Sequence, residues 1–328
     1  MATHNTRRNF LKKSVAAAAA APLVTSLEEY ALLAQEGRST AAAPVAGAKE
    51  PLPTGTIGKL KMTRLICGGN LISGYAHSRD LIYVSELLKA YFTEAKIMDT
   101  WALCEEHGVN TMISVPDDKK ALDTFLKYRA RGGKIQCIAQ LAPAKSDLAT
   151  PIKRAVDAGM EGAVLVGNQG DAWTREDAVD KIEQFVSLAK AQGLVVGVGG
   201  HELRTPMVVE AAGIHPDFYM KTLHSTHYWS TRRPDQKKEV IDNGGADNYW
   251  CMDPEETIKA MYDVTCPWMA YKVLAAGAIH PRDGFKHAFA NGADFCIVGM
   301  FDFQVAEDAA VARAVLKNLP DRKRPWRA

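Results

Sequence analysis

One pattern repeats along most of the chain: a short apolar segment rich in β-branched residues, a glycine or polar turn, and a longer amphipathic segment. Strands that alternate with helices pair in parallel, because each helix returns the chain to the same end of the sheet. Eight such units follow one another, without a Gly-rich nucleotide-binding loop. This favours a closed barrel over an open doubly wound sheet. We therefore predict a single-domain α/β fold, a (β/α)8 TIM barrel, over residues 50–328.

The predicted strands are Met62–Cys67, Thr111–Val115, Ile135–Leu141, Ala163–Val166, Leu194–Val198, Phe218–Leu223, Trp268–Val273 and Phe295–Val298. An N-terminal hairpin, Pro51–Lys61, precedes them. Two connections are long, Leu71–Ala90 after the first strand and His224–Met252 after the sixth, and loops of that length are typically functional. Thr174–Asp177 resembles a capping box and predicts the start of a helix that ends near Gln192. Thr205 is predicted to cap the helix after the fifth strand.

Composition narrows the class of partner. With 47% hydrophobic residues, 24% charged residues and a net charge of +2, the chain has no basic surface of the kind that binds nucleic acid. Beyond the N-terminus no apolar run is long enough to span a membrane, so we expect no stable span in the mature chain. A small-molecule substrate is the expected partner.

The N-terminus resembles a twin-arginine export signal: Thr6-Arg7-Arg8-Asn9-Phe10-Leu11-Lys12 precedes the small apolar run Val15–Val24. Residues 1–49 are thus predicted to be a signal peptide and linker, read by the twin-arginine export machinery. The resemblance implies export in folded form and a periplasmic or secreted protein. It also favours a divalent metal or a tightly held cofactor over a freely exchanging nicotinamide.

Several early segments resemble the aldo/keto reductases, which open with a hairpin, a Gly-Gly strand end and a Gly-Val-Asn second strand. The matching segments are Leu52–Asn70, Glu105–Thr111 and Ile135–Leu141. The likeness implies a barrel of that shape. The likeness ends at the catalytic positions of that family, because Ile113–Asp118 lacks the Asp-Thr-Ala element and the proton-donating Tyr. Gln140 or Leu141 stands where the reductases place a Lys.

A second likeness concerns the closing units, where Lys272–Ile279, Gly292-Ala293-Asp294 and Gly299 are similar to aldolase-like and phosphate-binding barrels. In those proteins, glycine turns after the last two strands expose backbone N–H groups to phosphate. The same small residues are also explained if they only let the barrel close.

The candidate catalytic residues lie where the fifth and sixth strands end: Glu202 follows the fifth strand beside His201, a predicted substrate contact, and Lys221 and His224 lie at the end of the sixth. The favoured catalytic set is Glu202, Lys221 and His224. Neighbouring strand ends meet on the face where barrel active sites form. A lysine in an apolar strand acts as a base or Schiff-base nucleophile when desolvated, or forms a structural ion pair, here with Glu202. Lys272 on the seventh strand has the same two interpretations, a catalytic amine or a structural ion pair.

A metal site is the alternative use of the same loop. Glu202, His224 and His227 match a two-His, one-carboxylate set with open positions. Strand alternation limits this hypothesis, because Lys221 and His224 face opposite sides unless the strand ends between them. The same holds for His201 and its neighbour Glu202.

Aromatic and polar residues around the long loops are the predicted substrate contacts. Aromatic faces stack on sugar rings, which makes a sugar-derived ligand plausible, although the same rings also suit a loop anchor. The predicted set is Asn70, His201, Tyr228, Trp229, Tyr249 and Trp250, with Tyr75, His77 and Arg79 covering the same mouth.

The leading functional hypothesis is an exported barrel enzyme that performs acid–base or Schiff-base chemistry on a small carbonyl or sugar-derived substrate, as a lyase, aldolase or isomerase. One alternative is an aldo/keto reductase-like oxidoreductase with tightly bound NADP. The other is a non-catalytic carbohydrate-binding barrel.

Overall fold

Eight parallel strands close into a barrel in which the last strand is hydrogen-bonded back to the first. The computed structural model describes residues 50–75, 77, 81, 83–231, 250–319, 322 and 324–328. The predicted (β/α)8 fold is confirmed. After the hairpin β1 (Thr54–Ile57) and β2 (Leu60–Thr63), the barrel strands are β3 (Leu65–Cys67), β4 (Thr111–Ser114), β5 (Gln136–Leu141), β6 (Gly162–Leu165), β7 (Val195–Gly200), β8 (Phe218–Thr222), β9 (Trp268–Tyr271) and β10 (Phe295–Val298).

Helices lie between and after the strands. They are α1 (Val84–Tyr91), α2 (Glu94–Glu106), α3 (Lys119–Ala130), α4 (Ala149–Asp157), α5 (Gly167–Arg175), α6 (Val179–Ala191), α7 (Arg204–Ala211), α8 (Pro254–Asp263), α9 (Pro281–Ala290) and α10 (Asp302–Lys317), with a 3₁₀ turn at Ala275–Gly277. Within the described ranges, none of these helices combines the length and apolar character needed to cross a membrane.

Two predicted helix starts are wrong. Thr174 belongs to the last turn of α5, and Asp177 has a φ of 52°, a left-handed conformation that separates α5 from α6. Thr205 lies inside α7, where its hydroxyl donates to the Asp171 carboxylate at 2.7 Å instead of capping the helix. A tertiary contact thus replaces the local capping bond that the sequence predicted.

Two apolar cores hold the barrel together, one between strands and helices and one inside the barrel. The inner core joins barrel residues such as Ile113, Met220 and Ile297 to Ile57 and Met62 of the hairpin. The hairpin therefore closes the N-terminal end of the barrel, and the opposite end is left for a site.

Asp308, in α10, is a buried carboxyl whose removal is expected to stabilise the protein. It is 2% exposed, and among the described residues its Oδ2 has no hydrogen-bond partner. Burial, reinforced by Glu307, raises its pKa to about 7. Its ionisation opposes folding as pH rises from its unfolded value towards 7, so Asp308→Asn should add about 2 kcal/mol at pH 8.

Thermal melts of both proteins at pH 5 and pH 8 measure this effect. The gain in Tm should be larger at pH 8, where wild-type Asp308 must ionise in a buried position. An equal difference at both pH values would contradict the assignment.

Candidate active site

A cavity of about 420 Å³ opens at the C-terminal ends of the barrel strands. Its floor is apolar and includes Ile113, Met220 and Ile297. The polar residues that line it are Asn70, Tyr75, His77, Gln140, Asn168, His201, Tyr271, Lys272 and Gln304. An apolar cavity with converging polar groups at this face is the usual setting of a barrel active site.

Glycine residues bring a helix close enough to β7 to place a carboxylate beside this cavity. A side chain on Gly170 would collide with the Gly199 carbonyl oxygen, and one on Gly199 would lie 2.5 Å from the Leu165 carbonyl oxygen. Since neither residue carries a Cβ, α5 packs directly on the end of β7. Asp171, the next residue of α5, then meets His201, the first residue after β7.

Asp171 and His201 form a buried pair. The exposed fraction is 3% for Asp171 and 6% for His201. His201 Nδ1 lies 2.8 Å from Asp171 Oδ2, and the His201 backbone N–H donates to both carboxylate oxygens at 3.0 Å. The Glu202 backbone N–H and the Thr205 hydroxyl also donate to Asp171. Because a carboxylate accepts, Nδ1 carries the proton and the imidazole lone pair is at Nε2.

Both members of the pair have shifted pKa values. Burial lowers the pKa of His201 to about 4; Asp171 opposes that shift, and Lys272 and His77 add to it. Burial tends to raise the pKa of Asp171, but the hydrogen bonds and charge of His201 and the Thr205 hydroxyl outweigh it and leave the pKa below its ordinary value. At neutral pH the pair is therefore a carboxylate and a neutral imidazole, the state of a general base.

Lys272 follows β9, at the same end of the barrel as His201, and contacts the loop after β3. Its Nζ is 2.6 Å from His77 Nε2, and the Asn70 amide nitrogen is 2.7 Å from the same atom. Since Lys272 and Asn70 both donate, Nε2 of His77 is the acceptor. Lys272 and His77 have φ values of 59° and 42°, an unfavourable backbone conformation for these residue types. Such strain is concentrated at functional sites.

Tyr271 packs between these groups. Its ring centroid is 5.3 Å from that of His201, and Lys272 Nζ lies 5.6 Å from the Tyr271 centroid. A Cβ on Gly167 would lie 2.5 Å from the Tyr271 hydroxyl and 2.7 Å from His201 Cε1. Gly167 thus permits the close approach of both rings.

Gly167→Ala is expected to displace the His201 ring and to lower activity by about 10²-fold, because a misplacement of about 1 Å has that effect on a catalytic group. Nuclear magnetic resonance of the histidine ring nitrogens and steady-state kinetics measure the two effects. Gly193→Ala is the control: its φ of 75° strains the backbone of an alanine, but a Cβ there meets no atom within 4 Å, so the His201 spectrum should not change. An unchanged His201 spectrum in Gly167→Ala would contradict the packing argument.

The structure brings five of the predicted residues into the cavity lining: Asn70, Tyr75, His77, His201 and Lys272. Lys221 is buried behind it, where its Nζ donates to the backbone carbonyls of His201 and Thr222. Glu202 points away and pairs with Arg175, so the expected bridge between Lys221 and Glu202 does not form. In the turn after β7, His201 faces the cavity and Glu202 faces Arg175 of α5.

His224 is committed to the backbone of its own loop. Its Nδ1 lies 3.0 Å from the Ser225 carbonyl oxygen, and its Nε2 accepts from the Cys251 backbone N–H at 2.9 Å. Burial lowers its pKa to about 4. These bonds tie together the two described ends of the long loop after β8, and His224 is not part of the cavity lining.

The other predicted residues that the structure describes are absent from the cavity lining. His227 bonds Ser225, Tyr228 packs edge-to-face on His224, Trp229 is 86% exposed and Trp250 is buried. Tyr249 and Arg79 lie outside the described residues. The described part of the chain contains no group of three His, Cys, Asp or Glu side chains that could hold a metal ion. Glu202, His224 and His227 therefore do not assemble as the predicted metal site.

Sequence reasoning missed Asp171 and the role of Tyr271. Asp171 was hidden because the helix was predicted to begin at Thr174, which left residues 167–171 in a loop. The signal was the pair of glycines, Gly167 and Gly170, directly after the fourth barrel strand. Small residues at that point indicate close approach of a helix to the next strand.

Fold and cavity together define a (β/α)8 barrel protein with a His–Asp pair at its functional face. No protein-family model and no curated protein matches the sequence. The fold is widely shared, with 445 solved chains that match, so it does not by itself select an activity.

Among these structures is a "Putative aldo-keto reductase" from Pseudomonas aeruginosa, with 15% identity, coverage of 82% of this chain and 98% of that chain, and a TM-score of 0.56. Another is Gox0644 in its apo form, with 10% identity, coverage of 84% and 97%, and a TM-score of 0.52. At these identities the likeness shows the shared barrel fold and nothing finer.

Proposed function

We propose that this protein is an acid–base enzyme that removes a proton next to the carbonyl group of a small, sugar-derived substrate. The observation that carries the proposal is the buried Asp171–His201 pair in a cavity that also contains Lys272. In this proposal His201 is the general base, Asp171 fixes its tautomer, and Lys272 with Asn70 stabilises the charge that develops on the carbonyl oxygen.

The proton transfer balances without an additional reactant. His201 Nε2 accepts the proton from the carbon beside the carbonyl, and the C–H electron pair becomes the C=C bond of an enolate. The carbonyl π electrons move to oxygen, where the Lys272 ammonium stabilises the negative charge. Return of the proton from His201 to the same carbon restores the substrate with a hydrogen exchanged from solvent. Loss of a leaving group from the next carbon gives a lyase reaction, in which the leaving group takes the proton from the His201 imidazolium.

Proton exchange tests the proposal before the physiological substrate is known. Small aldoses, ketoses and sugar acids are incubated with the protein in D₂O, and loss of the α-proton signal is followed by nuclear magnetic resonance. His201→Gln should abolish the exchange, whereas the control His215→Gln, at an exposed histidine, should leave it unchanged. Exchange that persists in His201→Gln would refute the role of the pair.

Lys272 offers a second route for the same class of substrate, as a Schiff-base nucleophile. It lines the cavity, which Lys221 does not. Borohydride treatment with a carbonyl substrate, followed by peptide mass spectrometry, separates the two routes. A reduced adduct on Lys272 supports the covalent route, and exchange without an adduct supports the acid–base route.

The proposed steps use only protein side chains: Asp171, His201, Lys272 and Asn70. An oxidoreductase is the second candidate, favoured by one observation: Tyr271 and Lys272, the residue types missing from the reductase positions, lie together in the cavity. A bound NADP would supply hydride, and the Tyr271 hydroxyl would protonate the substrate oxygen. Absorbance near that of a reduced nicotinamide in gently purified protein would support this candidate.

For localisation, we propose export through the twin-arginine pathway to the periplasm or beyond. The support is the segment around Arg7 and Arg8, which lies outside the described residues. Replacement of both arginines by lysine should retain the protein in the cytoplasm. Equal export of both forms would contradict the proposal.

A further inference from the structure

Lys221 is a buried lysine to which the proposed reaction assigns no role. It is 2% exposed, and its Nζ donates to the His201 carbonyl at 2.7 Å and to the Thr222 carbonyl at 3.2 Å. Throughout the described ranges it forms no ion pair with a carboxylate. A buried ammonium held only by carbonyl oxygens is costly, so its position calls for a specific explanation.

The main partner of Lys221 is the proposed general base. His201 is held at its backbone N–H and its ring Nδ1 by Asp171, and at its backbone carbonyl by Lys221. The lysine reaches this carbonyl because β7 and β8 pair with Gly200 opposite Lys221. Both ends of the His201 residue are therefore fixed by charged groups from different elements.

These bonds matter because the two residues before His201 restrict the backbone conformation very little. Gly199 and Gly200 precede it, and glycine leaves the backbone more freedom than any other residue. The glycines cannot be replaced easily, since a Cβ on Gly200 would lie 2.6 Å from Thr205 Cβ. The close packing of α5 and α7 on β7 thus requires glycine at these positions. Because glycine restricts the backbone little, a further contact is needed to hold His201 in place.

We propose that Lys221 is a positioning residue of this site: its buried ammonium fixes the His201 peptide and so keeps the imidazole in the cavity in the Nδ1-protonated form. The inference rests on the proposed function for its catalytic meaning, while its structural statement concerns His201 alone. Lys221 acts through His201, because Lys221 itself does not line the cavity.

Charged and titratable groups face His201 from every element packed around it. Asp171 comes from α5, Lys221 from β8, Tyr271 from β9, Lys272 from the residue after β9, and His77 from the loop after β3. Asp171 accepts from the His201 backbone N–H, and Lys221 donates to the His201 backbone carbonyl. Loss of Lys221 should therefore release one end of His201 and leave the other groups in place.

The test is ¹⁵N nuclear magnetic resonance of the histidine rings in the full chain, with Lys221→Met compared to wild type. In wild type, His201 should keep one tautomer down to about pH 5. In Lys221→Met a partly released ring gains solvent, so its pKa should rise by about one unit or more, with mixed tautomers. With a substrate that exchanges, kcat should fall about 10²-fold and KM should change by less than about 3-fold.

Lys59→Met is the matched control. Lys59 also donates to a backbone carbonyl at 2.7 Å, that of Gly193, but on an exposed surface at the hairpin. It should leave the His201 spectrum and the kinetics unchanged.

A folded Lys221→Met protein with the wild-type titration and tautomer of His201 would overturn the proposal. Should that variant not fold, Lys221→Leu removes the donor with a shorter apolar side chain, and a wild-type His201 spectrum in it would likewise overturn the proposal. The spectra need no substrate, so they are independent of the proposed function. Loss of the His201 tautomer without any measurable exchange activity would uphold the positioning role and refute the acid–base reaction.

Discussion

Asp171→Asn is expected to lower kcat/KM by about 10³- to 10⁴-fold, the loss seen when the aspartate of a His–Asp pair becomes an amide. The reason is the hydrogen-bond pattern around residue 171. Donors from His201, Glu202 and Thr205 converge on two carboxylate oxygens. An asparagine presents one oxygen and one NH₂ group, so at His201 Nδ1 it favours the opposite tautomer and places the proton on Nε2.

Ring-nitrogen spectra of His201 and steady-state kinetics measure the two halves of this prediction. Asp217→Asn provides a control, because Asp217 also accepts a backbone N–H, that of Val196, near the other end of β7. A variant at Asp171 that changes the tautomer but retains full activity would remove His201 from the mechanism. In wild type, activity should fall only as pH drops through about 4, since His201 must be neutral to accept a proton.

Lys272→Met is expected to lower kcat by about 10²- to 10³-fold, the usual effect of removing one donor that stabilises an oxyanion. Methionine nearly preserves the shape of the side chain and deletes the ammonium, so binding should change less than turnover. His77 also loses a partner, because Lys272 Nζ lies 2.6 Å from His77 Nε2, whereas the Asn70 amide keeps its own contact with that atom. Arginine at position 272 should restore part of the activity, since it keeps the charge with a different geometry.

Kinetics of both variants, together with the borohydride adduct experiment, distinguish the roles of this lysine. Lys286→Met, on the exposed side of α9, controls for the loss of a lysine charge. Full activity in Lys272→Met would exclude both the electrostatic and the Schiff-base role. A Lys272→Arg protein that is fully active would exclude the Schiff-base role alone.

Much of the fold follows from local pattern. The predicted strands all contain or overlap the observed ones, because β-branched apolar runs between glycine turns have few other stable conformations. The long first connection was predicted correctly as unusual, and it carries His77 to the cavity. Helix starts were less well predicted, as at Thr174, because a capping sequence competes with tertiary contacts that the sequence does not display.

The candidate site was only partly predictable. The sequence indicated Asn70, His201 and Lys272, since polar residues at strand ends gather on one face of a barrel. As catalytic residues it favoured Lys221, His224 and Glu202 over these three, and the structure places the favoured residues outside the cavity lining. Strand alternation alone could not decide between them, because alternation stops where each strand ends.

By itself, the sequence determined the eight-unit barrel and the end of it at which polar residues collect, because periodicity and glycine turns act over a few residues. Only the tertiary structure decided that Asp171 meets His201 and that Lys221 supports a carbonyl instead of facing a substrate. Those outcomes depend on how closely α5 packs on β7 and on the register of β7 with β8. Both are set by contacts between segments 30 and 20 residues apart, which no local pattern encodes.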